Sequence, residues 1–300
     1  IFIRLLSHVQ SPLFLAAHPS IAGRNTVVCW ISGTMRTTRD LRRMDMATIR
    51  PQTLKDSTRF GQAEWDARVE LAACYRIFDH LGWTELIYNH ITLRIPGPEK
   101  HFLINPFGLH YSEVTASNLV KIDLDGNNVG DNDYPVNRAG YVIHSAIHRH
   151  RDDAHCVMHT HTTAGMAVAC LAEGLARDNF YGAFLPKVAY HDFQGVTTDL
   201  AEQADLVKSL GQANALILRS HGLLSCGETP AKAFSVLWTL ERACQIQLAS
   251  HSMNKPVLPL PAKAFERSSE VANRPNYEPE QLVLDWLRRE IDKHDPSYAS

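Results

Sequence analysis

No apolar run in this 300-residue chain is long enough to span a bilayer as a helix, so the sequence predicts no membrane partner. Excess charge is missing as well. Lys and Arg total 30 against 32 for Asp and Glu, a formal net charge of −2, so no overall field draws in nucleic acid. Short basic runs at 36–43 and 148–151 read as solvated faces. The six cysteines contain no C-x-x-C pair, which removes the common thiolate metal and redox motifs. Cys156, Cys170 and Cys244 sit among apolar residues, as reduced core cysteines do, and predict a reducing, cytoplasmic compartment. Asp and Glu are absent from residues 1–39, which carry Arg4, Arg24, Arg36 and Arg39 behind a first residue, Ile1, that is not Met. Such a start resembles an organelle transit peptide. The plainer reading is an N-terminal extension over 1–55, disordered or not native, with Met35, Met44 or Met46 as the true start. Internal repeats and low-complexity tracts are also lacking.

What is present is enough apolar material, 45% of residues, to bury a sizeable core. Leu71, Cys74, Tyr75 and Phe78 have the i, i+3, i+4, i+7 spacing of a helix that ends near Gly82. Runs at 90–95 and 101–106, joined by "PGPEK", predict a hairpin. Thr115 is expected to cap a short helix over 116–120, and Asp125-Gly126 to make a turn after a strand. Residues 139–151 read as a helix, 156–161 as a strand and 163–173 as a helix. A strand follows after Pro186, then a helix capped by Thr198, then a buried strand over 214–220. A long helix over 229–250 starts with Pro230 in its first turn. After a linker at 256–261, a last helix from about Glu280 to Ile291 has Val283, Trp286 and Leu287 as its apolar stripe. Strands and helices mix without regular βαβ alternation, so an α/β domain is expected over 60–255, followed by a linker and C-terminal helix over 256–300.

Chemistry is concentrated in "AHCVMHTHTTAG", residues 154–165. On a strand, side chains alternate between faces, so His159 and His161 point the same way, about 7 Å apart along the backbone. That suits two imidazoles converging on one ion. His144 and His148, four apart on a helix, form a second candidate pair, with a structural role preferred. A catalytic metal needs three protein ligands and an open position. His221, at the end of the 214–220 strand and followed by Gly222, supplies the third. Imidazole donors suit zinc first.

Taken together, "YNHITLR" (88–94), "NPFGLHYSEVTASNLVKIDLDGN" (105–127), "AGYVIHSAIHRHRDDAHCVMHTHTTAG" (139–165), "SHGLLSCGETPAKAF" (220–234) and "LERACQIQ" (240–247) resemble the class II aldolase/adducin family. The resemblance covers about 62–252. It implies a three-layer α/β/α domain around a mostly antiparallel sheet, commonly assembled as homotetramers with active sites between subunits. It also implies that His159, His161 and His221 bind the metal, with Zn2+ usual and Mn2+ in some relatives. The family's sugar-phosphate aldolases carry an acid/base carboxylate four residues before the position of His144; here that position is Gly140. Two phosphate-holding serines fall on Arg138 and Ala139, and a Gly-Asn pair on Asn89-His90. The pattern is closer to the adducin-like branch.

Two functions follow. One is a metal-dependent lyase or isomerase acting through an enediolate on a small hydroxy-carbonyl or sugar-like substrate. Its candidate acid/base residues are Glu113 and Tyr190, with Tyr111 and His191 behind them. Asn89, His90, Gly108 and Arg138 are candidate substrate contacts. The other is a non-catalytic, self-associating or cytoskeleton-binding module like an adducin head.

Overall fold

The computed structural model describes residues 29–31, 34–36, 59–185, 187–195, 202–272 and 278–300. The chain divides into two units, Ile1–Thr48 and Ile49–Ser300. The first contains a two-stranded antiparallel ribbon, β1 (Cys29–Ile31) with β2 (Thr34–Arg36). The proposed starts at Met44 and Met46 and the Thr198 cap lie outside the described residues.

The second unit is built on a seven-stranded sheet. Its strands are β3 (Ile91–Arg94), β4 (Phe102–Ile104), β5 (Val120–Ile122), β6 (Cys156–Thr160), β7 (Val188–His191), β8 (Ala215–Leu218) and β9 (Gly222–Gly227). They stand in the order β5-β4-β3-β6-β9-β8-β7. Every neighbouring pair is antiparallel except β7 with β8. A parallel pair needs a crossover, and helix α5 (Glu202–Leu210) supplies it. The mostly antiparallel α/β sheet expected from the resemblance is present.

Strand alternation sorts the core into layers. Cys156 and Met158 of β6 pack with Leu93, Ile217 and Leu223 in a cluster shared with α1 (Gln62–His80), α3 (Thr163–Ala169), α6 (Pro230–Ser252) and α8 (Pro279–Asp292). Val157 and Leu224 face the other way, toward α2 (Arg138–His150) and α5. His159 is in register with Leu224 and shares that second face. On that face the buried Arg151 guanidinium pairs with Asp153 and donates to the Gly211 and Ala213 carbonyls, tying the end of α2 to the approach to β8. No helix among the described residues is long and apolar enough to cross a membrane.

Several local expectations need correction. Residues 116–118 form a turn, not a helix. The Asn118 side chain accepts from the Thr115 N–H and donates to the Glu113 carbonyl, satisfying the backbone without helical bonds. Strand β9 was not expected; with Gly at both ends its sequence carries little strand signal, yet it lies in the middle of the sheet. Helix α7 (Ala262–Ala272) follows the linker and was also not expected. On α8 the buried stripe is Leu284, Leu287 and Ile291, whereas Val283 and Trp286 are exposed. Those buried residues and Tyr298 join the α1/α6 cluster, which extends the core beyond residue 255. Cys170, at the end of α3, is exposed rather than in the core.

Candidate metal centre

His159 stands near the end of central strand β6 and His161 just past it. Their Nε2 atoms are 2.8 Å apart. His221 is the last residue of the three-residue connection 219–221 between β8 and β9. Ser220 has φ of 56°, the left-handed conformation that such a hairpin needs once before the return strand. The His221 N–H donates to the Leu218 carbonyl and the Ser220 N–H to Ala169, so the loop is fastened on both sides. This swings the His221 ring to 4.8 Å from His159 and 4.9 Å from His161, centroid to centroid. One nitrogen from each of the three lies within 4.8 Å of the others. The donors come from adjacent central strands, a closer arrangement than two unrelated strand ends.

The proton positions favour this convergence. His159 Nδ1 is 2.8 Å from the Leu223 carbonyl oxygen. A carbonyl only accepts, so Nδ1 carries the proton and Nε2 presents a bare lone pair. Burial lowers the His161 pKa. It lowers that of His159 further, with repulsion from His161, His221 and His90 added. His221 is pushed down to about 4 by burial and by His161, partly opposed by the Glu202 carboxylate. The three rings are therefore neutral near pH 7, the state in which imidazole binds a cation.

Gly222 makes the approach possible. A Cβ there would lie 2.4 Å from the Thr160 carbonyl oxygen, 3.0 Å from His161 Cδ2 and 3.2 Å from His159 Cε1. Behind His161, the Thr162 hydroxyl caps α3 and hydrogen-bonds the buried Glu241 carboxylate, fixing the chain as it leaves β6.

His90 forms a neighbouring wall. Its ring lies 5.4 Å from that of His159 and 4.3 Å from that of His144. Burial pushes its pKa down to about 3. Its Nε2 and the Asn89 Oδ1 are buried without a hydrogen-bond partner.

The second histidine pair is structural. His148 Nδ1 donates to the Ala154 carbonyl, so its Nε2 accepts from the Thr92 hydroxyl. That hydroxyl oxygen accepts in turn from His144 Nδ1. His148 is pushed down to about 3 by burial and by Arg94, and His144 lies well below the usual range through burial, His90 and His148. Unfolded histidine takes a proton below about pH 6.5, which these folded ones refuse. Stability is thus complete above that pH and falls as pH drops toward 3, each such histidine shifting the folded-to-unfolded ratio about tenfold per unit. The urea midpoint is expected to fall between pH 7.5 and pH 5, and less steeply in His148→Gln. An equal fall in the variant would place the acid sensitivity elsewhere.

Of the other candidates, His191 lines a small pocket together with His221, while Glu113, Tyr111 and Tyr190 have their polar groups engaged elsewhere. Glu113 Oε2 accepts the His110 N–H in a capping box, on a single turn packed against α1 across the sheet. Tyr111 is buried in that layer against Tyr75. The Tyr190 hydroxyl accepts the Leu175 N–H, and its ring lies under the Arg219 guanidinium. His191 is held by Ser209 and Glu202. Gly108 turns a loop at φ 105° and Arg138, exposed, opens α2. Glu202, Thr162 and Glu241 were not anticipated; their partners come from distant segments that no local pattern marks.

The structure is thus a three-layer α/β/α domain in which three neutral imidazoles converge at the ends of adjacent central strands. The chain belongs to the class II aldolase and adducin N-terminal domain family, which matches residues 69–248. It is similar to an aldolase II superfamily protein from Pseudomonas syringae of known structure, 42% identical with a TM-score of 0.77, covering 81% of this chain and 98% of that one. It is also similar to the L-fuculose 1-phosphate aldolase from Glaciozyma antarctica PI12, 28% identical, TM-score 0.67, over 81% of this chain and 94% of the other. Alpha-adducin of Rattus norvegicus is 47% identical over 196 residues, 64% of this chain but only 27% of the adducin.

Proposed function

We propose that His159, His161 and His221 hold one divalent cation, Zn2+ first by the preference of imidazole donors and Mn2+ second, and that the protein is a metal-dependent lyase or isomerase. Its substrate would be a small hydroxy-carbonyl or sugar-like molecule, reacting through an enediolate. The observation that carries this reading is the clustering of three neutral imidazole donors within 4.8 Å. A bound divalent ion supplies Lewis-acid polarisation of a substrate carbonyl. The chain's own residues do the rest. The Leu223 carbonyl orients His159, Glu241 and Thr162 fix the segment after His161, and His90 offers an unpaired ring nitrogen beside His159. Glu113 and Tyr190 are not retained as acid/base residues, because their polar atoms serve local backbone groups.

The likeness to alpha-adducin supports a second reading, a non-catalytic self-associating or cytoskeleton-binding module. Assembly as a homotetramer is compatible with both. A panel of hydroxy acids, keto sugars and fuculose and rhamnulose phosphates, run on chelated and zinc-restored protein, separates them. The enzyme reading expects turnover of a panel member only after metal is restored, with the sugar phosphates weak or inert because position 140 is Gly. Silence across the panel, together with co-sedimentation with actin or spectrin, would favour the module. Robust cleavage of either sugar phosphate would remove the argument from Gly140.

A further inference from the structure

Gly140 sits in the first turn of α2, against His90, the residue before β3. A Cβ built on it would lie 2.7 Å from His90 Cγ and 2.8 Å from both Cδ2 and Nδ1. Real Cβ atoms do not come that close, so the imidazole fills the space that any side chain at 140 would need. His90 cannot retreat easily. It is buried, with the His144 ring on one side and the His159 ring on another. The ring is also not placed there for its own hydrogen bonding. Nδ1 reaches the Tyr88 carbonyl at 3.5 Å, the outer limit of such a bond, and Nε2 has no partner. A buried nitrogen left unpaired is costly and calls for a partner such as a water, an ion or a ligand.

We propose that His90 is a substrate-contact residue whose Nε2 accepts a hydroxyl of the molecule bound at the triad, and that Gly140 lacks a side chain so that this ring can stand there. The inference rests on the triad binding metal and substrate, as proposed above. With Nδ1–H turned to Tyr88, Nε2 is an acceptor and an O–H is its natural donor. The substrate class narrows accordingly to molecules with a hydroxyl next to the group held at the triad, as in an α-hydroxy acid or α-hydroxy ketone. The residue pair also divides this chain from relatives with a carboxylate at position 140, since both side chains cannot share one volume.

Glycolate and acetate differ by that one hydroxyl and serve as probes. The protein is loaded with Co2+, and each probe is titrated against the visible absorption of the ion. Glycolate is expected to bind more tightly than acetate, and His90→Ala to reduce the ratio about tenfold, the scale of one buried hydrogen bond. Gly140→Ala, which keeps His90 but displaces its ring, is expected to reduce the ratio similarly, and the double variant to reduce it no further. Thermal melts of metal-free protein test the packing separately. Gly140→Ala is expected to destabilise the wild type but not His90→Ala, and an equal loss in both would overturn the mutual exclusion. A glycolate-to-acetate ratio unchanged in His90→Ala and Gly140→Ala, with Co2+ still bound, would overturn the contact and leave the metal reading intact. Failure of the wild type to bind Co2+ would overturn the metal reading, and this inference with it.

Discussion

Purified His159→Ala is expected to retain no zinc after dialysis, where the wild type holds about one ion per chain, as a single set of three imidazoles with one open position requires. The size of the loss follows from the geometry. His159 is the buried member of the triad, its Nε2 2.8 Å from His161 and its ring 4.8 Å from His221. Two surviving imidazoles from separate segments hold a cation far more weakly against water. Even partners one shell out cost about 10- to 100-fold in affinity when removed, and a direct ligand costs more. His148→Ala is the contrasting variant. It breaks the chain of hydrogen bonds through Thr92 and loses stability, but keeps the metal. Metal analysis of the two side by side checks the assignment. Full occupancy in His159→Ala would mean that the ion binds elsewhere.

Gly222→Ala is expected to be nearly as damaging, although it removes no donor. The added methyl would meet the Thr160 carbonyl at 2.4 Å, and that oxygen belongs to the backbone of β6. Neither strand can yield by turning a side chain. β9 pairs with β6 from Gly227 through Leu223, so relief must come from lifting the start of β9 and the loop before it. That loop carries His221. Overpacking of a filled interior costs about 1–3 kcal/mol, and here the strain is directed at the ligand set. The expected result is a lower melting temperature together with zinc affinity reduced at least about tenfold, the range for disturbed metal surroundings. Calorimetric zinc titration measures the second effect. Undiminished affinity in a folded Gly222→Ala protein would show that the approach of β9 does not set the position of His221.

The parts of the fold readable in the sequence were those with strong local signals. The periodicity of Leu71, Cys74, Tyr75 and Phe78, the Pro-Gly turn between β3 and β4, and Thr229-Pro230 ahead of α6 each point to an element that is present. β9 escaped because its identity comes from its neighbours. Its six residues are buried between β6 and β8 and need neither alternation nor β-branched side chains to stay there. On α8 the expected stripe was right at Leu287 but took Val283 and Trp286 in place of Leu284 and Ile291, since all four are apolar and only the packing on α1 and α6 decides between them. At the site, His159 and His161 were legible from strand alternation alone. His221 needed its context before Gly222. Glu113 and Tyr190 looked available because a sequence does not reveal that a carboxylate caps His110 or that a hydroxyl receives the Leu175 amide. The fit between His90 and Gly140, fifty residues apart in the chain, exists only in three dimensions.

The central claim is that three imidazoles share one cation with a position left open. Diffraction from zinc-loaded crystals, recorded at the zinc absorption edge, tests it most directly. The account predicts one anomalous peak per chain, about 2.0–2.1 Å from a ring nitrogen of each of His159, His161 and His221, with His90 beside the open position. A peak bound by other residues, or no peak in protein that chemical analysis shows to contain zinc, would contradict it.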